Sequence, residues 1–327
     1  MTAEAANRRE PPRGPAAGPG VAAVVAAVDW GGTWIRVALA TADGQLLGQS
    51  RRPRPAGLAE QCDLVCAELA RLGASLNRLP AAVGVGIAGI ARGGRVESAV
   101  NIGIRQPVDL ARRLQYGSGL PVLVVNDTQA AAIAEAGQLG RGTHVLLTVG
   151  TGVGGAIVKD GRLVSGRGAA GDFGHMIVAL DGPRCRCGAR GCLEQLVSGR
   201  VLNLAADQLA RTGASPWLAA RAADRGQVHA GDLDVAARAG DRPATAALEH
   251  AASALVAGLR SIAAAIDPDN VVLGGGLLSP GSLLTSLVHQ RWPMERPRWS
   301  AAELRPALLG AEAGLRGAAL LAAAVAD

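Results

Sequence analysis

Apolar runs of strand length, separated by glycine turns, set the plan of this chain. Residues 22 to 29 are apolar and break at "DWGGT", after which "WIRVALA" resumes the pattern. An "ADG" turn then leads into "QLLGQS". More than a hundred residues later, "HVLLTVGTGVGGAIVKDGRLVSG" repeats the plan of apolar run, glycine turn, apolar run, Asp-Gly turn and short strand. Asp-Gly between such runs is a strong hairpin signal. Two copies of one supersecondary unit predict two related lobes.

Between and after the copies lie other elements. "LAEQCDLVCAELARL" has helical periodicity, with Leu58, Cys62, Val65, Cys66 and Leu69 on one stripe. We read Cys62 and Cys66 there as core packing. "AAVGVGIAG" and "LPVLVVND" read as buried strands, and "TQAAAIAEAGQLG" as a helix ended by glycine. Residues 200 to 266 read as mostly helical, "NVVLGGGL" as a strand meeting a glycine turn, and residues 311 to 325 as a final helix. The expected division is a tail over 1–21, an N-terminal α/β lobe over 22–120 completed by the final helix, and a larger lobe over 121–310. The length exceeds one ordinary core, which agrees with two lobes.

Composition narrows the function classes. Hydrophobic residues make up 49% of the chain, yet no apolar run is long enough to span a bilayer. The tail is rich in Pro, Gly and Ala and lacks a signal peptide's apolar centre, which reads as disorder in a cytosolic protein. The net charge is +6, but arginine usage accounts for much of it. Aromatic residues, at 2%, offer few stacking platforms, so nucleic acid is not an expected partner. Lys159 is the only lysine, which excludes the lysine-bearing P-loop. A phosphate site here must use backbone amides, a metal or arginine.

Three glycine turns offer such amides. In "DWGGT", Gly31 and Gly32 let the backbone approach a ligand, Thr33 adds a hydroxyl, and Asp29 can orient hydrated Mg²⁺. Thr151, Gly152, Gly154 and Gly155 in "GTGVGG" can do the same from the second lobe. Gly274, Gly275 and Gly276 follow a strand and could pack against a base or ribose. Asp127 stands where a strand ends and a helix begins. Strand ends facing a cleft are ligand positions in α/β folds, but Asp is also a common helix N-cap, and the sequence mechanics leave both open.

"CRCGARGCLE" holds Cys185, Cys187 and Cys192. Their odd number and close spacing disfavour disulfides, and a cytosolic setting keeps thiols reduced. Three thiolates and an imidazole make a closed structural zinc site, with His175 the nearest candidate; free thiols are the alternative. Such a metal would pin the loop carrying Asp172 and His175 to the one carrying Glu194.

"DWGGTWIR", "VVNDTQAAAIAE", "GTGVGGAIVKDG", "GDFGH", "CRCGARGCLE" and "DPDNVVLGGG" occur in the order seen in the ROK family of bacterial sugar kinases and repressors. The chain resembles that family over about residues 22 to 325. The resemblance implies the two-lobed actin-like ATPase (ribonuclease H-like) fold, with ATP and sugar in the cleft. It implies that Asp127 is the catalytic base, that Asn101, Asn126, Asp172, His175 and Glu194 bind the sugar, and that His175 is the fourth zinc ligand. A homodimer is implied as well. Glucose phosphorylated at O6 is the first expectation. Another hexose, an N-acetylhexosamine or a C7 cyclitol is the alternative, with polyphosphate as an alternative donor. A catalytically silent sugar-binding protein is a further rival. The stretch ahead of the first strand leaves no room for the DNA-binding domain of the family's repressors. Three departures lie near the expected sugar: Asp172 stands where the family usually has Glu, Ala88 where it has Pro, and "NIGI" follows where a Gly-Trp pair is common.

Overall fold

The computed structural model describes residues 23–326; the tail expected over 1–21 lies outside the described residues. Strands β1 (Val24–Trp30), β2 (Trp34–Thr41) and β3 (Leu46–Pro53) form a meander, followed by helix α1 (Leu58–Leu76) and strand β4 (Val83–Ile87). A small antiparallel sheet, β5 (Ile90–Arg92), β6 (Arg95–Ser98) and β7 (Val108–Asp109), precedes α2 (Leu110–Ser118), β8 (Val122–Asn126) and α3 (Asp127–Gly137). The second meander is β9 (Thr143–Val149), β10 (Val153–Lys159) and β11 (Arg162–Leu163). Five helices follow: α4 (Glu194–Val197), α5 (Gly199–Arg211), α6 (Pro216–Arg225), α7 (Ala230–Arg238) and α8 (Arg242–Ile266). The chain ends with β12 (Asn270–Gly274), α9 (Leu283–Glu295), β13 (Glu303–Pro306) and α10 (Ala313–Ala326).

The two large sheets share one topology. The first runs β3-β2-β1-β4-β8, and the second β11-β10-β9-β12-β13. In each, an antiparallel meander is extended by two strands parallel to its first strand. The repeated hydrophobic plan is therefore a repeated sheet. The first sheet takes in β8, and so extends past the boundary expected at residue 120.

The continuous apolar run of β1 has a packing cause. Successive side chains point to opposite faces of a strand, and here both faces are covered. Val24, Ala26 and Val28 join the core under α1, with Val65, Leu69 and Leu72. Val25 and Ala27 face α10, against Leu315, Ala318 and Ala319. Cys62 lies in the first of these cores and Cys66 packs at its edge, as the helical stripe predicted. Burial raises the Cys62 thiol to about 11, which keeps it un-ionised.

Helix α3 leaves the end of β8 and crosses α10 at very short range. A β-carbon on Gly317 would sit 1.6 Å from the Ala130 carbonyl oxygen, so glycine alone allows this crossing. Two helices held this closely fix the start of α3 relative to both sheets, and Asp127 is at that start.

Candidate active site

A cavity of about 1000 Å³ opens between the lobes. The β1–β2 turn enters it with Gly31, Gly32 and Thr33, and the β9–β10 turn with Thr151, Gly152, Gly154 and Gly155. The first turn is closed by the Gly31 N–H donating to the Trp34 carbonyl at 3.0 Å, and the second by Gly150 N–H to Gly152 O at 2.9 Å. No acceptor within the described residues meets the N–H of Gly32 or Thr33. At Gly155 a β-carbon would lie 2.3 Å from the Phe173 ring, so its glycine lets the "GDFGH" loop close over β10.

Asn101, Asn126, Asp127, Asp172, His175 and Glu194 all line the same cavity. They come from separate places: a 3-10 turn over Val100–Ile102, the β8–α3 junction, a 3-10 turn over Phe173–His175, and the first turn of α4.

The structure removes one of the two readings of Asp127, that of helix N-cap. The N-cap of α3 is Asn126, whose Oδ1 accepts from the N–H of Thr128 at 2.9 Å and of Gln129 at 3.3 Å. Gln129 Oε1 returns an acceptor to the Asn126 N–H, completing a capping box. Asp127 is thus the first helical residue. Its Oδ1 accepts from the Thr128 N–H at 2.8 Å, while Oδ2 has no partner among the described residues. Burial lifts its carboxyl to about 6, with the nearby Asp29 charge adding to the rise and the Thr128 and Asn126 contacts opposing it. Asn126 also donates from Nδ2 to Gly89 O at 3.0 Å, which leaves one amide hydrogen of Nδ2 for a ligand.

On the opposite wall, Glu194 Oε2 accepts from the Val153 N–H at 3.0 Å, which ties α4 to the β9–β10 turn. Asp172 Oδ2 lies 3.9 Å from His175 Nε2. Burial raises the Asp172 carboxyl, Glu194 raises it further, and His175 opposes. A wall of acids and an imidazole that can both accept and donate suits a polyol.

His175 turns its other nitrogen the opposite way. Nδ1 lies 3.5 Å from Cys185 Sγ, and Cys187 Sγ lies 3.6 Å from Cys192 Sγ. The four ligand atoms all fall within 4.8 Å of one another. Tetrahedral zinc–sulfur bonds of about 2.3 Å put ligand atoms slightly under 4 Å apart, so this Cys₃His set fits zinc. The backbone already brings the two loops together: Val178 N–H donates to Gly191 O at 2.9 Å, and Leu193 N–H to Met176 O at 2.8 Å.

Three expected positions fall elsewhere. Asp29 lies behind the cavity wall, where Arg36 grips its Oδ2 through Nε at 2.8 Å and through Nη2. Both bonds land on one oxygen, and Oδ1 has no hydrogen-bond partner among the described residues. Of the third turn, only Gly275 reaches the main cavity. Gly274 and Gly276 line a smaller one of about 440 Å³ beside α3.

Gly276 also borders a groove of about 930 Å³ that sequence reasoning missed. This groove adjoins the cleft at Gly150 and Thr151 and is walled by Arg200, Asn203, Gln227 and His229. Of the departures near the sugar pocket, Asp172 and Ala88 line the cavity. The Ala88 N–H donates to Trp30 O at 3.2 Å, a bond that proline lacks the hydrogen to make. Ile104 is buried in the N-terminal core, paired with Ala99, and does not reach the cavity.

Fold and site together define a two-lobed α/β protein with paired glycine turns facing a carboxylate across a polar cleft. A family model described as "ROK family" matches residues 25–325. A glucokinase of Streptomyces coelicolor is 35% identical over 90% of this chain and 96% of its own length. An N-acetylmannosamine kinase of Citrobacter koseri is 34% identical over 90% of this chain and 97% of its own. The solved ROK family glucokinase of Streptomyces griseus, in complex with glucose and AMPPNP, superposes with a TM-score of 0.73 at 36% identity, covering 91% of this chain and 99% of that one. The chain belongs to the ROK family, and its fold is that of the actin-like ATPases.

Proposed function

We propose that this sugar kinase transfers the γ-phosphoryl group of ATP to the primary hydroxyl of a hexose, with glucose giving glucose 6-phosphate as the leading assignment. One observation carries the reading: the free Oδ2 of Asp127 opens into a cavity with phosphate-type glycine turns on one side and Asp172, His175 and Glu194 on the other. The glucokinase relatives support glucose as the acceptor, and the N-acetylmannosamine kinases keep an amino sugar as the second candidate.

Asp127 receives the proton of the sugar hydroxyl as that oxygen bonds to the γ-phosphorus and the bridge to the β-phosphate breaks. A carboxyl near 6 is mostly ionised at neutral pH and still basic enough to take a proton, the compromise expected of a general base. The amides of Gly32 and Thr33 and of the second turn hold the phosphates, and Asp29 would orient a hydrated Mg²⁺ that offsets their charge. The 930 Å³ groove, with Gly276 at its edge, takes the base and ribose. Asn101, the free Nδ2 hydrogen of Asn126, Asp172, His175 and Glu194 hold the sugar hydroxyls. Cys185, Cys187, Cys192 and His175 would hold a structural zinc, whose role would be to fix the two acid-bearing loops. Among the described residues no helix is long and apolar enough to cross a membrane, and we read the enzyme as a cytosolic homodimer.

The test is ADP release from Mg·ATP with glucose, mannose, fructose, the N-acetylhexosamines and a C7 cyclitol. The highest kcat/KM is expected with glucose. Turnover of another polyol alone would reassign the acceptor to a pocket re-cut by Asp172 and Ala88. No turnover with ATP or polyphosphate would leave a sugar-binding protein without catalysis.

A further inference from the structure

The phosphate turn and the acceptor loop are joined by a side chain that no motif marks. Arg54 follows β3, half-buried behind the β1–β2 turn. Its Nε donates to Gly32 O at 2.6 Å, and its Nη1 donates to Ile102 O at 3.3 Å and to Pro55 O at 3.0 Å. Its own N–H donates to Thr33 O at 2.9 Å. One guanidinium therefore holds the carbonyl of the glycine turn and the carbonyl next to Asn101. The two loops already touch: a β-carbon on Gly32 would lie 3.6 Å from Asn101.

Gln61 backs this tie from the core. It is fully buried; its Nε2 donates to Pro55 O at 2.9 Å and Ile102 O at 3.4 Å, and its Oε1 accepts from the buried Trp30 indole at 2.9 Å. Trp30 is the residue before Gly31. The network thus begins and ends in the glycine turn and passes through the loop of Asn101.

The peptide geometry gives Arg54 a directional effect. In a trans peptide the C=O and the following N–H point opposite ways. Anchoring Gly32 O on Arg54 turns the Thr33 N–H to the other side, where it has no acceptor in the described chain. The fork of donors on one rigid plane is what lets a single residue hold two carbonyls; a lysine ammonium has no such plane.

The geometry points to Arg54 as a positioning residue that sets the γ-phosphate turn in register with the sugar-hydroxyl loop. This rests on reading the β1–β2 turn as a phosphate site and Asn101 as a sugar ligand. Loss of the tie lets donor and acceptor bind while their reacting atoms drift apart, and misplacement near 1 Å costs roughly 10²-fold in rate. Water, which needs no positioning by the acceptor loop, then competes for the γ-phosphorus and releases ADP and inorganic phosphate.

The experiment compares Arg54→Met and Arg54→Lys with the full-length wild type. It reads kcat, both KM values, and the ratio of sugar-independent phosphate release to sugar phosphorylation. Arg54→Met is expected to lose about 10- to 100-fold in kcat, with each KM within about threefold and the hydrolysis ratio raised about tenfold. Arg54→Lys, able to reach one carbonyl, should fall between. A purely structural residue would lower kcat and hydrolysis together with the folded fraction and leave their ratio unchanged, and that result overturns the inference. If Arg54→Met does not fold, the ratio in Arg54→Lys decides alone. Asn101→Ala separates the underlying reading: if it leaves the sugar KM unmoved, the loop assignment fails whatever Arg54 does.

Discussion

Replacing Asp127 by Asn should make the protein more stable and nearly inactive, and both effects can be sized. Burial raises the Asp127 carboxyl from the ordinary 3.8 to about 6. Ionised Asp127 therefore costs the folded state about 3 kcal/mol at neutral pH, since a tenfold change in proton affinity is 1.36 kcal/mol. Asn keeps the shape and the acceptor for the Thr128 N–H and removes the charge. The sign follows from the two states: below about pH 3.8 the carboxyl is neutral both folded and unfolded, and the cost is absent. It grows as pH rises, because the unfolded chain ionises first, and is complete above about pH 6. The advantage of Asp127→Asn is thus full at pH 7.5, about half as large at pH 5, and gone near pH 3. Unfolding entropy of about 2.1 cal/mol/K per residue over a chain this long converts 3 kcal/mol into about 4 °C of Tm at pH 7.5. Differential scanning calorimetry at the two higher pH values measures this. Turnover of the variant should fall about 10²- to 10⁴-fold, with sugar binding retained. An equal Tm gain at both pH values, or turnover within tenfold of wild type, would refute the reasoning.

Other consequences follow from the same geometry. Arg36→Gln frees the Asp29 charge beside Asp127, so the acidic limb of the kcat/KM profile, near pH 6 in the wild type, should move upward; an unmoved or lowered limb contradicts the coupling. Metal analysis should find about one zinc per chain, and Cys187→Ser should lower it and raise the sugar KM about tenfold, leaving the ATP KM within about twofold. Gly317→Ala has no room at the Ala130 carbonyl and should lower stability by about 3 kcal/mol or more, read as a fall in Tm.

Strand-level architecture was legible in the sequence because buried strands must be apolar on both faces, as β1 is. The duplicated sheet followed from the repeat of glycine turn and Asp-Gly turn. The cysteine cluster was legible because ligand type and spacing are local properties. The cap of α3 was harder. Asn126 and Gln129 have the spacing of a capping box, but Asp127 is an equally good capping residue, and only the backbone shows which of the two adjacent side chains turns back. The groove at Gly276 was signalled only by the glycine turns at its edge: its other walls come from positions near 200 and 227, each unremarkable alone. The Arg54 tie is silent for the same reason. Its acceptors are carbonyls, which every residue carries.

The placement of the carboxylate connects these parts. The β1–β2 turn and Asn101 belong to the first lobe, and the β9–β10 turn, Asp172, His175 and Glu194 to the second. Asp127 stands between them, on a helix pinned to α10 through Gly317 and starting from the edge strand of the first sheet. Its raised proton affinity comes first from being shielded from water, with the Asp29 charge adding to the rise. Opening the lobes would hydrate the carboxylate and lower its basicity, weakening the base in the state where water can enter. Closing them would restore that basicity. On the proposed reading of Asp127 as the base, a closed cleft would favour the held hydroxyl over water as acceptor, because the shielded carboxylate is the more basic one.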